Sequence, residues 1–292
     1  MPKLLITGAT GLLGSVLSSS LDHRSALTRV ALRTAAAGVR LCDLTDVPAT
    51  RRLLAETQPD IVVHLAAMTN VDACESAPDA AYAANARATQ TIAEWVLSDS
   101  PATRLIYIST DQVYDAPGPS SEERVSPHNI YALTKLWGED HARRVSRHTV
   151  LRVNFFAGQT PGGKGIVPWL VEKANAKTPT PLFSDVLFNA LHAEHLAVLI
   201  VEAIDLDISG TLNVGASGPG MSKAAFYRSA LRRLGLPDGN FYDGSVADAG
   251  LAGYRPRDMR MDVSKAECAF GHALPTMDEG LDLIAAEYGR AA

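Results

Sequence analysis

Three things are scarce in this sequence: cysteine, excess positive charge and long apolar runs. Its 292 residues include three widely spaced cysteines and no Cys-x-x-Cys pair, which argues against a disulfide framework and a zinc site. The formal net charge of −5 lacks the basic excess of nucleic-acid-binding proteins. No apolar run approaches the roughly 18 residues of a transmembrane helix, and no signal-peptide pattern precedes the first apolar segment. We therefore expect a cytoplasmic protein without membrane, nucleic-acid or metal partners.

The N-terminal half alternates short apolar runs with stretches of helical periodicity. With 47% apolar and 20% charged residues, the chain has the composition of a globular protein. Alternation of this kind predicts right-handed crossovers, hence an α/β fold with a doubly wound parallel sheet. The predicted strands are Leu4–Thr7, Arg29–Arg33, Arg40–Cys42, Ile61–Leu65, Leu105–Ser109 and Val150–Val153, and the predicted helices are 12–21, 46–57, 78–98 and 127–147.

A glycine-rich turn follows the first predicted strand. Gly8, Gly11 and Gly14 stand three residues apart, and apolar residues then recur at helical intervals. In a dinucleotide site, the first glycine allows the bend, the second admits a diphosphate and the third lets helix pack on strand. The helix N-terminus adds free N–H groups and partial positive charge. An ordinary strand–helix turn shows the same triplet, but its position here favours dinucleotide binding.

Residues just after each strand carry the most information, because ligands of such a sheet bind at the carboxyl ends of its strands. No acid stands between Ala31 and Val39 to bind a ribose diol, whereas Arg33 can pair with a 2′-phosphate. This favours NADP(H) and leaves NAD(H) open, the alternative being a solvated surface arginine. Asp43 can accept from an adenine amino group, and Asp46 reads equally well as a helix cap.

The fourth strand is followed by small residues and contains a histidine. Ala66 and Ala67 would let the backbone run beside the ribose and diphosphate of a cofactor. His64 stands inside an apolar strand, which favours a hydrogen-bonded core histidine over a functional one. His192 and His195 share a helical face without a cysteine or a third histidine nearby, so neither indicates a metal site.

A tyrosine–lysine pair follows the fifth strand, which ends near Thr110. Ser126-Pro127 is predicted to open a helix that carries Tyr131 and Lys135 on one face, four residues apart. A nearby ammonium lowers the pKa of a phenol from about 10, so that Tyr131 could exchange a proton with a substrate carbonyl. Thr110 could donate a hydrogen bond to the same oxygen. A surface helical pair is the alternative, and the combination with the glycine turn favours catalysis.

Together these motifs resemble the extended short-chain dehydrogenase/reductases, above all their dTDP-4-dehydrorhamnose reductase branch, over essentially the whole chain. The chain departs from that branch at two places. Gln112 stands where an aromatic residue is usual, and the sequence of residues 152–158 differs from the one usual in the branch. The matching pieces are Gly8–Gly14, the run 66–75, Asn85, Ser109-Thr110-Asp111, Tyr131 with Lys135, and Arg255-Pro256-Arg257-Asp258.

The resemblance implies three groups of site residues. The implied catalytic residues are Thr110, Tyr131 and Lys135. The implied cofactor-binding residues are Gly8, Thr10, Gly11, Leu12, Leu13, Arg33, Asp43, Leu44, Leu65, Ala66, Ala67, Tyr131 and Lys135. The implied substrate-binding residues are Thr69, Val71, Asp111, Asn154 and Arg255.

It also implies a Rossmann-type NAD(P)-binding domain, 1–157 with about 187–217, and a smaller substrate lobe, about 158–186 with 218–292. In the C-terminal half we predict helices near 166–176, 192–204 and 222–234, a strand at Leu212–Val214, and a last helix opened by Pro275-Thr276. Guanidinium groups suit a diphosphate, with Arg255 the best candidate. Arg257 and Arg260 serve equally well as partners of Asp258 or Asp262.

These expectations converge on an NADP(H)-preferring reductase of a keto group on a nucleotide-linked deoxysugar, with a homodimer left open. Gln112 cannot supply the acid that dehydratases of the superfamily place at that point, which disfavours dehydration. Epimerisation needs only the Tyr/Lys chemistry and stays open. A non-catalytic subunit is a third reading, because the regulatory β subunit of methionine adenosyltransferase resembles the same branch.

Overall fold

A seven-stranded parallel sheet forms the centre of the fold in the computed structural model, which describes residues 2–22, 26–158, 165–176 and 178–291. The described strands are β1 (Leu4–Thr7), β2 (Leu27–Ala31), β3 (Val39–Leu41), β4 (Ile61–His64), β5 (Arg104–Thr110), β6 (His148–Val153), β7 (Phe155–Phe156), β8 (Thr180–Phe183), β9 (Leu187–Phe188), β10 (Leu191–His192), β11 (Gly210–Val214), β12 (Met221–Ser222) and β13 (Phe241–Gly244). The described α-helices are α1 (Leu12–Ser20), α2 (Val47–Thr57), α3 (Val71–Ser76), α4 (Pro78–Tyr82), α5 (Ala88–Asp99), α6 (Ile130–Arg143), α7 (Ile166–Ala176), α8 (Ala193–Asp205), α9 (Lys223–Arg233), α10 (Ser264–Phe270) and α11 (Met277–Ala291).

The strand order β3-β2-β1-β4-β5-β6-β11 confirms the doubly wound parallel sheet. The chain winds outwards from β1 to β3 and then returns to β4 on the other side of β1. This reversal lies between β1 and β4, where an open α/β sheet forms a crevice at the carboxyl ends of its strands. The two apolar faces of the sheet are covered by helices, so β1 and β5 are buried along their whole length.

Several predicted boundaries are wrong: the helix expected over 78–98 is divided into α4, a π-helical turn and α5, and two other differences bear on the site. The second strand ends at Ala31, so Arg33 lies beyond it in an exposed bend. The helix expected over 127–147 spans Ile130–Arg143. It begins after Asn129, because the side chain of Asn129 accepts a hydrogen bond from Ala132 N at 2.7 Å and caps the N-terminus of the helix. Ser126 and Pro127 therefore belong to the loop before it.

Outside the large sheet, the C-terminal half forms three two-stranded pairs: β7 with β10, β8 with β13, and β9 with β12. The predicted cap of α9 is confirmed, because the Ser222 hydroxyl accepts from Ala225 N at 3.1 Å. The opening of α11 is also as predicted, since Thr276 and Glu279 exchange hydrogen bonds as a capping box. Within the described ranges, no helix has the length and apolarity needed to cross a membrane.

Candidate functional site

The glycine turn lies at the crevice between β1 and β4. Gly8 has a φ of +69°, and a Cβ there would lie 2.9 Å from Ala66 N, in the segment that follows β4. A Cβ on Gly14 would lie 2.1 Å from the Gly8 carbonyl oxygen, so α1 packs directly on the turn. No side chain of the described residues caps α1, so the first N–H groups of the helix are left for another acceptor. Both glycines leave a cradle that a side chain would fill.

Buried hydrogen bonds hold the two strand ends of this cradle together. The Thr7 hydroxyl lies 2.7 Å from His64 Nδ1 and accepts from the next two backbone N–H groups after β4 at 3.2 and 3.1 Å. The other ring nitrogen lies 3.1 Å from the Thr89 hydroxyl, which donates to a helical carbonyl. Burial, with the charge of Lys135 second, lowers the pKa of His64 to about 3, so the imidazole is neutral. The core-histidine interpretation is confirmed.

The residues expected around the adenosine lie beside this cradle with different exposure. Arg33 is exposed and makes no hydrogen bond or ion pair with the described part of the chain. Asp43 is also exposed, but one of its carboxylate oxygens accepts from the N–H and hydroxyl of Thr45 at 2.9 and 2.7 Å. Asp46 caps α2 by accepting from Ala49 N at 3.0 Å, so the cap interpretation of Asp46 is confirmed. Of the remaining predicted cofactor contacts, the side chains of Leu13 and Leu44 are buried in the core, whereas Thr10, Leu12, Leu65, Ala66 and Ala67 are half-buried.

Thr110, Tyr131 and Lys135 are buried at the carboxyl end of β5, with 4%, 8% and 2% of their surfaces exposed. Thr110 is the last residue of β5, and its hydroxyl accepts from Gln112 N at 3.2 Å. Tyr131 and Lys135 lie one turn apart in the first half of α6. The cap residue of α6, Asn129, donates to the Gln112 side-chain oxygen at 3.0 Å, which ties the helix to the end of β5.

The ammonium of Lys135 is directed at the backbone of β5. Its Nζ donates to the Ile108 carbonyl at 2.7 Å and lies 4.1 Å from the centre of the Tyr107 ring. Burial lowers the pKa of Lys135 to about 7, and the negative charge of Glu139 opposes that shift. The lysine is therefore close to half-protonated near neutral pH, because its desolvation is only partly compensated.

The phenol of Tyr131 behaves differently from the expectation. Burial raises its pKa, and hydrogen bonding with Thr110 only partly offsets the effect, while the charges of Asp111 and Cys74 add to it. The expected lowering of this pKa by Lys135 is not seen, because burial dominates the shift; the Lys135 ammonium donates instead to the Ile108 carbonyl. In this arrangement Tyr131 is protonated and suited to donate a proton.

Behind Lys135 lies a buried ion pair that the motifs did not reveal. Glu139 is fully buried and accepts two hydrogen bonds from Arg152, at 2.9 Å from Nε and 2.7 Å from Nη2. The Ser109 hydroxyl donates to the same carboxylate at 2.5 Å. The spacing of four residues from Lys135 to Glu139 places both on one helical face and was the available signal.

Asn85 organises the segment after β4. Its side chain pairs with the backbone of Met68, accepting from the N–H at 2.7 Å and donating to the carbonyl at 3.0 Å, and also donates to Thr134 on α6 at 3.0 Å. It lies in a π-helical turn, Ala83–Arg87, of the kind often found at functional sites. A Cβ on Gly138 would lie 2.6 Å from the Asn85 carbonyl, so α6 approaches this turn closely.

On the substrate side, Asp111 and Asn154 are joined directly. The Asn154 amide donates to Asp111 Oδ2, and the Thr110 hydroxyl donates weakly to Oδ1 at 3.3 Å. Asp111 is only 2% exposed, and burial raises its pKa to about 7. Val71 packs in a buried cluster with Tyr131, whereas Thr69 is exposed.

Arg255 lies on a loop held against α3. Its guanidinium donates to Asp72 at 2.9 Å and to the Gly253 carbonyl at 2.7 Å, and Gly253 N donates to Asp72 at 2.8 Å. A Cβ on Gly253 would lie 2.7 Å from Val71, so only glycine permits this approach. Arg260 pairs with Asp258 at 2.7 Å, which confirms the structural alternative for that arginine.

One group of potential metal ligands is present among the described residues. His192, Glu194 and Glu287 each offer a ligand atom, all within 4.8 Å of one another. These residues belong to β10, α8 and α11. The expected absence of a metal stays a prediction.

The fold and the buried Thr-Tyr-Lys arrangement define a Rossmann-type protein of the extended short-chain dehydrogenase/reductase class. The family model described as "RmlD substrate binding domain" matches residues 2–290, and the chain belongs to this family. The probable low-salt glycan biosynthesis reductase Agl14 of Haloferax volcanii is 30% identical, over 97% of each chain. Methionine adenosyltransferase 2 subunit beta of Mus musculus is 28% identical, over 91% of this chain and 81% of that one. The crystal structure of dTDP-4-dehydrorhamnose reductase from Bacillus anthracis in complex with NADP is similar with a TM-score of 0.86, at 25% identity, over 98% of this chain and 99% of that one.

Proposed function

We propose that the protein is an NAD(P)-dependent oxidoreductase that reduces a keto group on a nucleotide-linked deoxysugar. The observation that carries the proposal is the burial of Thr110, Tyr131 and Lys135 together at the end of β5, beside the glycine cradle. The similarity to a dTDP-4-dehydrorhamnose reductase over nearly the whole of both chains supports the substrate class.

The cradle at Gly8 and Gly14 fits a dinucleotide, because a Cβ at either position would fill it. Gly11, Thr10, Leu12 and Leu13 would hold the diphosphate at the start of α1, and the segment Leu65–Ala67 would run beside the ribose. Asp43 and Leu44 would lie near the adenine. When bound, a reduced nicotinamide supplies the hydride for the carbonyl carbon.

The proton for the carbonyl oxygen would come from a residue of the chain. Tyr131, kept protonated by burial, would donate its phenolic proton to the carbonyl oxygen of the substrate. Thr110 would donate a hydrogen bond to the same oxygen, and Lys135 would hold the nicotinamide ribose. The substrate would be bound by Thr69, Val71, Asp111, Asn154 and Arg255. Arg255 would contact the diphosphate of the substrate.

The test is Tyr131→Phe, with NADPH oxidation followed across a panel of keto-sugar nucleotides. We expect turnover to fall at least about a hundredfold, because general acid catalysis contributes about 10²–10⁴-fold, while NADPH affinity is retained. Tyr242→Phe, at an exposed tyrosine of the C-terminal half, is the control and should be fully active. Equal turnover in Tyr131→Phe would rule out this mechanism.

The preference for NADP(H) over NAD(H) rests on Arg33. Its guanidinium is exposed beyond β2 and has no partner in the described part of the chain, so it is available for a 2′-phosphate. Exposure weakens such a pair, and we expect a preference of about tenfold. Arg33→Asp should reverse the order of the NADPH and NADH dissociation constants, with Arg40→Asp as control. If the wild type binds NADPH and NADH equally and Arg33→Asp changes neither dissociation constant, Arg33 does not contact the cofactor.

The division into domains belongs to the same proposal. Residues 1–157 and about 187–217 would form the dinucleotide-binding domain, and about 158–186 and 218–292 the substrate lobe. The strand pair β8–β13, outside the large sheet and wholly within the proposed substrate lobe, supports this division, whereas the pair β9–β12 joins the two proposed domains.

Two other functions are the alternatives to this proposal. Epimerisation would use the same Tyr131 and Lys135 but would turn over without net loss of NADPH. A non-catalytic role as the subunit of a complex is the second alternative, supported by the similarity to a methionine adenosyltransferase subunit. A stoichiometric partner in a pulldown, together with no turnover on the panel, would favour that reading, whereas stoichiometric NADPH oxidation supports the reductase.

A further inference from the structure

Lys223 is a cation of the C-terminal half that the sequence motifs do not mark. It is the first residue of α9, and its backbone N–H donates to the Val186 carbonyl at 2.9 Å. The residue before it, Ser222, caps the helix. The backbone from which the side chain of Lys223 departs is therefore held on both sides.

The short strand β9 brings Lys223 beside the loop of Arg255. On one side β9 pairs with β12, which directly precedes Lys223. On the other, Leu187 N donates to the Arg257 carbonyl at 2.7 Å, and Met259 N donates to the Leu187 carbonyl at 2.9 Å. The charges of Lys223 and Arg255 are close enough for Arg255 to lower the pKa of Lys223, although burial lowers it more.

The charge of Asp111, at the catalytic strand end, also acts on Lys223, and it opposes the lowering of the lysine's pKa. Asp111 already accepts hydrogen bonds from Asn154 and Thr110, and its pKa of about 7 leaves it only partly charged near neutral pH. Within the described residues, the ammonium of Lys223 makes no hydrogen bond or ion pair. Arg255 has the Asp72 carboxylate as its partner, whereas Lys223 has none of this kind, and a bound anion would stabilise its ammonium.

Resting on the proposed function, we propose that Lys223 binds the sugar-side phosphoryl group of the nucleotide-linked substrate, with Arg255 next to it on the nucleotide side. Lys223 lies within electrostatic reach of both Asp111 and Arg255. A substrate whose carbonyl meets Thr110 and Tyr131, and whose diphosphate reaches Arg255, passes Lys223 with the phosphoryl group attached to its sugar.

Nucleotide binding in the presence of saturating NADPH tests this assignment by calorimetry, with dTDP, UDP, dTMP and UMP as probes. We expect Lys223→Met to weaken the diphosphate that the wild type binds tighter by about tenfold, since one charge-assisted contact is lost. The corresponding monophosphate should change by less than about twofold. Lys223→Arg should retain most of the diphosphate affinity.

The control is Lys265→Met, which removes the same charge from an exposed lysine whose Nζ donates to the Thr211 carbonyl. It should leave every affinity unchanged, and retained NADPH binding in all variants reports an intact fold. Unchanged diphosphate binding in Lys223→Met, or an equal loss for the monophosphate, would overturn the assignment, as would a wild type that binds neither diphosphate. Failure of the proposed function is separate, because it abolishes NADPH oxidation by the wild type on keto-sugar nucleotides.

Discussion

Replacing Glu139 by glutamine should both destabilise the protein and change the titration of Lys135. Glu139 is 0% exposed, and its carboxylate accepts from Arg152, Ser109 and the half-buried Arg143. In the variant, an amide N–H₂ would face these donors, and the guanidinium of Arg152 would lose its buried counter-charge. Removing one partner of a buried ion pair costs about 3–5 kcal/mol.

We expect the lower end of that range, about 3 kcal/mol, for two reasons. Arg152 keeps hydrogen bonds to the Tyr114 hydroxyl at 2.6 Å and to the Glu122 carbonyl at 2.5 Å, so it is not left without acceptors. The glutamine also keeps one oxygen that can accept. Urea unfolding at pH 7.5 measures the free energy of unfolding, and an unchanged m-value shows that the compactness of the two states is preserved.

The control is Asp140→Asn, at the next residue of α6. Asp140 pairs with Arg143 at 2.8 Å but its side chain is 66% exposed, so the change should cost less than about 0.5 kcal/mol. The second measurement is the pH dependence of kcat/KM. Glu139 raises the pKa of Lys135, so its neutralisation moves the loss of the protonated lysine to lower pH.

Two results would refute this reasoning. A loss of less than about 1 kcal/mol in Glu139→Gln would mean that the buried pair contributes no more than a surface pair. An alkaline limb of the pH profile that stays in place, in a variant that is destabilised as expected, would mean that Glu139 does not act on Lys135.

Two further predictions concern Lys135 and Gly253. The pKa of Lys135 falls from 10.5 to about 7 on folding, so the unfolded state binds its proton more tightly and burial penalises folding most at low pH. Relative to the wild type, Lys135→Met should therefore gain most stability below pH 7. The difference in the free energy of unfolding, measured in urea, should shrink by about 1.4 kcal/mol per pH unit from about pH 7 to about pH 10. A difference independent of pH would contradict the buried charge. In Gly253→Ala, the added methyl would meet Val71 at 2.7 Å and displace the Arg255 loop, so KM for the sugar nucleotide should rise with little change in kcat. Gly239→Ala, with open space around the added methyl, is the control, and equal KM values in the two variants would contradict the role of the loop.

The sheet could be predicted from the sequence because its strands are short, continuous apolar runs between helical stretches. Ile61–His64 and Arg104–Thr110 are buried in the way such runs require. Helix ends were less certain. Ser126-Pro127 is a common start of a helix in sequence terms, but Asn129 caps the helix instead. The amide of Asn129 also donates to the Gln112 side chain and to the Tyr254 carbonyl, and these contacts exist only in the folded chain.

Local spacing alone determined that Tyr131 and Lys135 share one helix face, because a helix has 3.6 residues per turn. It also determined that Gly8, Gly11 and Gly14 follow the first strand, because the glycine turn is a continuous segment of the chain. Tertiary structure decided the electrostatics. The pKa of Tyr131 rises because burial outweighs its neighbours, and burial depends on everything packed around the ring. It also decided the partner of Arg255, since Asp72 lies 183 residues earlier in the chain. Contacts across such distances leave no periodic trace in a single sequence, because they depend on how the crossovers of the sheet return to one another.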